Sequence, residues 1–335
     1  MRSPITHPLL AISIIVSACG GADASPRFIA RSEWHAPLKC VGIPQLSGLS
    51  AVADVNTMGD SAFLVLLSDE RKLVMYDAGF RQIGSLQFDK DGPRGVLRAV
   101  SAVVTDTMVF IADDARSSIR YFTRGGADAG TARLTFIPRR LRMSAGELVV
   151  TPLVAGSSPA HLAFVMRARR AVPLGGRIAR YDEVGVHTLA NMTSVAAFDD
   201  RVLVMHEMVV PFGYVMRPRS GADSTRRFSV PVPADVEERL GRAPRDPLTE
   251  RNVQQLAVVA FTAAPVHASG AAYYVTRTSV ARGRYQKLLV RLDSLLNVEA
   301  VFPIAVSPQH MVFIPARGSV IVVDSESDWY ECKVS

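Results

Sequence analysis

From residue 46 onward the chain alternates short apolar runs with tight polar turns, and long helical periodicity is scarce. The recurring unit is an apolar stretch, a polar turn and a second apolar stretch. It reads VADVNTMGDSAFLVLLSD (52–69), SAVVTDTMVFIAD (101–113) and LRMSAGELVVTP (141–152). It continues as SVAAFDDRVLVMHE (194–207), PVHASGAAYYVTR (265–277) and PIAVSPQHMVFIP (303–315). Runs of this length, bounded by Gly, Asp, Asn and Ser, predict β-hairpins. Taking Phe63, Val109, Leu148, Val202, Tyr273 and Val312 as equivalent, the copies recur at spacings of about 40 to 70 residues. Repeats of that size with several strands each predict a propeller. Six copies predict six blades, each a four-stranded antiparallel sheet.

A second recurrence follows several copies: an apolar strand ends in Asp, turns, and starts another strand. KLVMYDAGFRQIG (72–84), RIARYDEVGVHTL (177–189) and LLVRLDSLLNVEA (288–300) place Asp77, Asp182 and Asp293 alike. An Asp side chain accepts hydrogen bonds from the backbone amides of a turn, so these three are read as turn residues rather than a repeated acidic site.

The stretch FDKDGPRGVLRAVSAVVTDTMVFIADDARSSIRYFTRGG (88–126) resembles the repeat of six-bladed propellers of the NHL and TolB-like group. The resemblance implies an all-β fold, but it fixes no activity, because this fold hosts unrelated functions. Two longer intervals read as insertions. Residues 154–176 are rich in Pro, Gly and Arg and are expected to extend a strand pair or loop. Residues 231–255 carry spacing for two short helices, with Pro247 at a helix start. That excursion either covers the central channel or has no role.

The first residues form a separate unit. Arg2 and the apolar run Leu9 to Val16 are far short of a membrane-spanning helix, which needs about 20 residues, and they read as a removable signal. Val16-Ser17-Ala18-Cys19 resembles the lipobox of bacterial lipoproteins, cut before a cysteine that carries the lipid. That resemblance implies a signal peptide over 1–18, a lipidated tether over 19–32 and a propeller over 33–335. It places the protein at the outer membrane, facing the periplasm or the exterior, because Gly20 stands where inner-membrane retention usually shows Asp.

Two cysteines then remain, Cys40 and Cys332, near opposite ends of the domain. In a compartment that permits disulfides they are expected to be joined. The segments around them, EWHAPLKCV (33–41) and WYECKV (329–334), would meet at the seam of the closed ring.

The chain has 38 Lys+Arg against 31 Asp+Glu, a net charge of +7. The pairs Arg139-Arg140, Arg169-Arg170 and Arg226-Arg227 lie outside any basic-aromatic motif, so they are read as solvated surface and no nucleic-acid partner is expected.

HExxH, GxSxG, Walker A, GxGxxG and CxxC motifs are all missing. No histidine pair has metal-ligand spacing. Asp89-Lys90-Asp91-Gly92 starts like a calcium loop, but Pro93 follows and the distal glutamate is absent. No catalytic residue, metal site or cofactor is therefore expected. A candidate binding rim comprises Asp69, Glu70, Arg71, Asp113, Asp114, Arg116, His206 and Glu207, which follow equivalent strands.

These readings favour a non-enzymatic, membrane-anchored module that binds or scaffolds an envelope protein or polysaccharide. The alternative is a propeller hydrolase or lactonase with a metal in the central channel.

Overall fold

Each hairpin repeat grows into a four-stranded meander because its two middle strands are apolar on both sides. In the first, Ala62–Leu67 reads AFLVLL with five consecutive residues buried, whereas the outer strand Gln82–Gln87 is largely exposed. Such a sheet needs apolar partners on both faces, and stacking sheets radially about an axis supplies them.

The computed structural model describes residues 27–90, 95–154, 159–178, 180, 182–197, 200–207, 212–220, 225–234, 259–262, 272–281 and 284–334. It shows a β-propeller of four-stranded antiparallel blades. Six four-stranded sheets are formed. Their innermost strands are Val52–Thr57, Ala99–Val104, Ile137–Ser144, Thr193–Ala197, Val259–Thr262 and Pro308–Ile314. Each innermost strand lies against the next, and the sixth lies against the first.

Six apolar clusters fill the interfaces between consecutive sheets. Leu64, Leu66 and Leu73 of the first sheet meet Ala102, Val109 and Ile111 of the second. Val312, Ile321 and Trp329 of the sixth meet Phe63, Val65 and Tyr76 of the first. Burying one such aliphatic side chain contributes roughly 1.5–3 kcal/mol, so these interfaces dominate the stability of the ring.

The sixth sheet takes its outer strand from the front of the chain. Cys40–Gly42 pairs antiparallel with Trp329–Lys333, and Cys40 sits opposite Cys332. A disulfide joins the two across 292 residues of sequence. The preceding segment straps the outside of the ring. The backbone N–H groups of His35 and Leu38 donate to the carbonyls of Val301 and Pro303 on the fifth sheet. Phe28–Ile29 pairs in parallel with Val232–Pro233. Of the segment 19–32 expected to form a tether, residues 27–32 lie against the ring instead, with Ile29 buried between the fourth and fifth sheets.

Three other expectations change, and one falls outside the described residues. Segment 154–176 is no insertion: it carries His161–Arg167 and most of Arg170–Arg177, the third and fourth strands of the third sheet. The run after Asp182, read as a turn and strand, is the helix Val184–Ala190. Its apparent alternation gives way to i,i+4 burial of Val186 and Ala190. Val312 lies on an innermost strand, so the equivalent of Phe63 in the sixth sheet is Val320, on Ser319–Asp324. Lastly, the two-helix excursion falls mostly on residues 235–255, outside the described residues, as does the turn of the fifth copy at 263–271.

The Asp turns are present at two of the three expected positions. Asp77 accepts from the Arg81 N–H at 2.9 Å, and Asp293 accepts from Leu295 and Asn297 at 2.8 Å. Asp324 does the same for Glu326 and Asp328.

Candidate functional site

The innermost strands share an irregularity that builds the centre of the molecule. In the first, second, third and sixth sheets the ladder slips near the strand start, between Val52 and Asp54, Ala99 and Ser101, Pro138 and Arg140, and Pro308 and His310. A β-bulge bends the strand and re-aims the residue that follows it. Asp54, Ser101, Arg140 and His310 thus occupy equivalent positions, and all four are polar. Three of the four enter one network at the channel, and His310 lines the same cavity.

Asp54, 1% exposed, is the hub. Its carboxylate receives the Arg142 guanidinium at 3.1 Å, lies 3.8 Å from Arg140, and accepts the Ser101 hydroxyl. Ser101 Oγ in turn accepts the Leu141 N–H at 2.9 Å. Burial alone would raise the Asp54 carboxyl. The Arg142 and Arg140 charges, helped by the hydrogen bonds from Ser101 and Arg142, outweigh it and hold the group below its ordinary value.

Glu207 forms the second centre. Arg139 clamps both its oxygens at 2.8 Å, and Ser194 Oγ donates to one of them at 2.8 Å. Here too burial is outweighed by Arg139, Arg140 and Ser194, so Glu207 stays ionised below the usual carboxylate range. Among the described residues, three guanidiniums face two carboxylates at the channel, an excess of one positive charge. Arg140 carries that excess, since its contacts besides Asp54 are backbone carbonyls at Ala53 and Val100.

The space among Asp54, Arg140, Arg142, Ser194, Glu207 and His310 is about 30 Å³. That is room for one or two waters at roughly 15 Å³ each. Among the described residues no three His, Cys, Asp or Glu side chains converge as metal ligands do.

The rim candidates divide. Connections after the second strand all emerge on one face, so Asp69, Glu70, Arg71, Asp113, Asp114, Arg116, His206 and Glu207 share a side of the ring. They do not form one exposed rim. Asp113 is buried and accepts the backbone N–H groups of Leu97 and Arg98. Asp114 pairs with Arg98, and Arg116 donates to the Gly95 carbonyl, so these three fasten the incoming connection of their own sheet. His206 is buried against the Ala190 carbonyl, and Glu207 turns into the channel. Asp69 and Glu70 remain exposed, with Arg71 half-buried beside them. Cys19 lies outside the described residues, as do Asp91 and Gly92 of the calcium-like stretch.

Sequence reasoning missed Asp54, Arg139, Arg140 and Arg142. The reading of Arg139-Arg140 as solvated surface is corrected, because both arginines lie on an innermost strand and reach buried carboxylates. A polar residue two or three places into an otherwise apolar first strand was the available signal.

His206 sets an acid limit on stability. Burial, with Arg227 nearby, lowers its pKa from 6.5 to about 4, although the Ala190 bond opposes the shift. The unfolded chain therefore takes up a proton near pH 6.5 that the folded chain refuses until about pH 4. Stability is full above pH 6.5 and falls as the pH drops through that window, by up to about 3 kcal/mol for this group. His310 is lowered to about 4 as well, by burial and then Arg140, and acts in the same direction. Urea midpoints from pH 7 to 4 should fall, and a His206→Asn, His310→Asn variant should show a flatter dependence. Parallel curves would contradict the assignment.

The fold and the channel define the chain as a β-propeller with an arginine-rich, ion-paired centre. Solved structures similar to it include a DUF4221-family member from Bacteroides vulgatus, at 8% identity and a TM-score of 0.59, covering 88% of this chain and 98% of that one. A putative exported protein from Bacteroides fragilis aligns at 9% identity and 0.53, covering 85% and 83%. A catalytically inactive variant of virginiamycin B lyase from Staphylococcus aureus, solved with quinupristin, aligns at 8% and 0.50, covering 89% and 99%. At these identities the likeness establishes the fold alone. No protein-family model and no curated protein matches the sequence.

Proposed function

We propose that the chain is a lipid-anchored, six-bladed propeller of the bacterial envelope, acting as a binding module for a protein or polysaccharide. Six sheets, six interface clusters and the ring of innermost strands support the blade count. The leader ending at Cys19 supports the anchor, and among the described residues no helix is long and apolar enough to cross a membrane.

The observation that carries the binding role is the state of the channel. Both carboxylates are held ionised by arginines, which removes them as general acids near neutral pH. The excess charge at Arg140 suits an anionic group presented across the mouth, a carboxylate of an acidic peptide or polysaccharide.

Three experiments test this reading. Cys19→Ala should release the protein from membranes; retention contradicts the anchor. A partner captured by a photocrosslinker at Glu70, then purified, should bind the wild type and bind Arg140→Gln about tenfold more weakly, measured under conditions where urea unfolding shows the variant to be folded. Equal affinities would contradict the channel mouth as the binding face. Turnover of lactones or glycosides, lost on His310→Ala, would replace the binding module with the hydrolase alternative.

A further inference from the structure

The segment 28–42 crosses the outside of three sheets, and little of it is buried. It pairs through Phe28–Ile29 with Val232–Pro233 after the fourth sheet and donates from His35 and Leu38 to the fifth. It ends as the outer strand Cys40–Gly42 of the sixth. Within this strap Ile29 is buried, Phe28, Trp34, Leu38 and Cys40 are half-buried, and the other ten residues are exposed. Ordering a chain costs conformational entropy at every residue, and buried apolar surface with paired backbone must offset it. A strap with so little of either is weakly docked, and the covalent link at Cys40 holds it in place.

The ring has other closures. The sixth sheet keeps three strands of its own, Pro308–Ile314, Ser319–Asp324 and Trp329–Lys333. Its innermost strand lies against the first, and Val312, Ile321 and Trp329 pack on Phe63, Val65 and Tyr76. Beyond the strap the chain is fixed again at Ile43 and Leu46, both buried in that same interface. Release of residues 28–42 therefore leaves the blades and their apolar contacts in place.

The two sulfurs differ in access. Cys332 is 1% exposed, whereas Cys40 is half-buried between the exposed residues Lys39 and Val41. Attack from solvent falls on Cys40. A dithiol's thiolate bonds to Cys40 Sγ, the S–S bond breaks, and its electron pair leaves on Cys332, which takes up a proton. The second thiol of the reagent then displaces Cys40 as a thiol, and the reagent departs as its own disulfide.

We infer that the Cys40–Cys332 disulfide is a redox latch on the strap, and that a dithiol reductant lengthens the tether between lipid and ring by releasing residues 28–42. The inference rests on the lipid-anchor reading for the tether, and on the strap's own geometry for the latch. With the strap docked, eight residues run from Cys19 to Arg27. At about 3.6 Å per residue they reach at most about 30 Å. With the strap released, 24 residues run from Cys19 to Ile43. Their reach is at most about 85 Å. The latch thus sets how far from its membrane the ring can bind.

The test uses the chain from residue 19 with Cys19→Ser, which carries neither an acyl group nor a third thiol. The oxidised, folded protein is treated with dithiothreitol without denaturant. Amide exchange should quicken about tenfold or more at His35 and Leu38, and at Val232 and Ala234, which donate to the Arg27 and Ile29 carbonyls. Ala62–Leu67 and Val202–His206 should keep their protection. Trp34 leaves the apolar cluster between the fourth and fifth sheets, so tryptophan emission should shift to the red. Trp34→Phe should remove most of that shift. The Cys40→Ser, Cys332→Ser variant should show the quickened exchange without reductant.

A bridge that yields to dithiothreitol only after urea is added overturns the latch. So does a reduced protein whose Leu38 and Ala234 amides stay protected. Equal loss of protection across all the sheets overturns it too, since the bridge then supports the ring itself. Acylation of Cys19 is read separately, by mass spectrometry of the membrane-extracted protein. A released strap without acylation overturns the tether, whereas a docked strap on an acylated, reduced protein overturns the latch.

Discussion

Asp54→Ala is expected to destabilise the folded chain by about 3–5 kcal/mol, because removing one partner strands the others in a buried site. Asp54 is the acceptor for Arg142 and Ser101 and the nearest carboxylate to Arg140. Without it, two guanidiniums face each other across a channel of water-sized volume. Asp54→Asn keeps the shape and some hydrogen bonding, and should cost less. Adding Arg142→Leu to Asp54→Ala should recover part of the loss, since an apolar pair tolerates the interior better than a lone cation. Urea denaturation of the three variants checks the order. A loss under about 1 kcal/mol for Asp54→Ala would mean that water in the channel, and not the carboxylate, satisfies the arginines.

The second large effect concerns the seam. The double variant Cys40→Ser, Cys332→Ser is expected to lose about 3–5 kcal/mol, with the same direction of change when the wild type is reduced. Loop-closure entropy for a span of 292 residues would allow somewhat more, about 5.7 kcal/mol, but measured bridges usually deliver less. The strand Cys40–Gly42 supplies little else to hold itself in place: it is three residues long, and Val41 is 66% exposed. Without the bridge, hydrogen exchange should quicken first at Cys40–Gly42 and along its partner Trp329–Lys333. Uniform quickening of all the sheets would instead show that the bridge stabilises the ring as a whole. No change in either stability or exchange would show that pairing and packing alone close the seam.

The hairpins were legible because a sheet packed on both faces needs continuous apolar middle strands, and AFLVLL, MVFIAD and VLVMH are such runs. The disulfide was legible because a closed ring must bring its ends together. Register in the sixth sheet was not. PQHMVFI and SVIVVD are equally apolar, and the Pro-Ala-Arg-Gly turn between them resembles the preceding Ser-Pro-Gln segment, so the pattern fits one strand earlier. The helix Val184–Ala190 was hidden for a related reason: seven residues are too few to separate a period of 3.6 from alternation.

The site was less legible still. Asp77 and Asp113 both end strands, yet Asp77 caps an exposed turn while Asp113 is buried and accepts from the backbone of Leu97 and Arg98. Local sequence carries no sign of that difference. Arg139 and Arg140 look like a surface pair until the bulge after Pro138 sends Arg139 toward Glu207 of the fourth sheet and Arg140 toward Asp54 of the first. Both partners lie more than sixty residues away, and the propeller closure alone brings them near.

Peptide mapping of the intact protein, digested without reductant after blocking free thiols, tests the closed ring most directly. It should yield one cross-linked species joining the peptides of Cys40 and Cys332. Recovery of both cysteines as separate blocked thiols would mean that the first strand does not complete the last sheet, and the ring as described here would not stand.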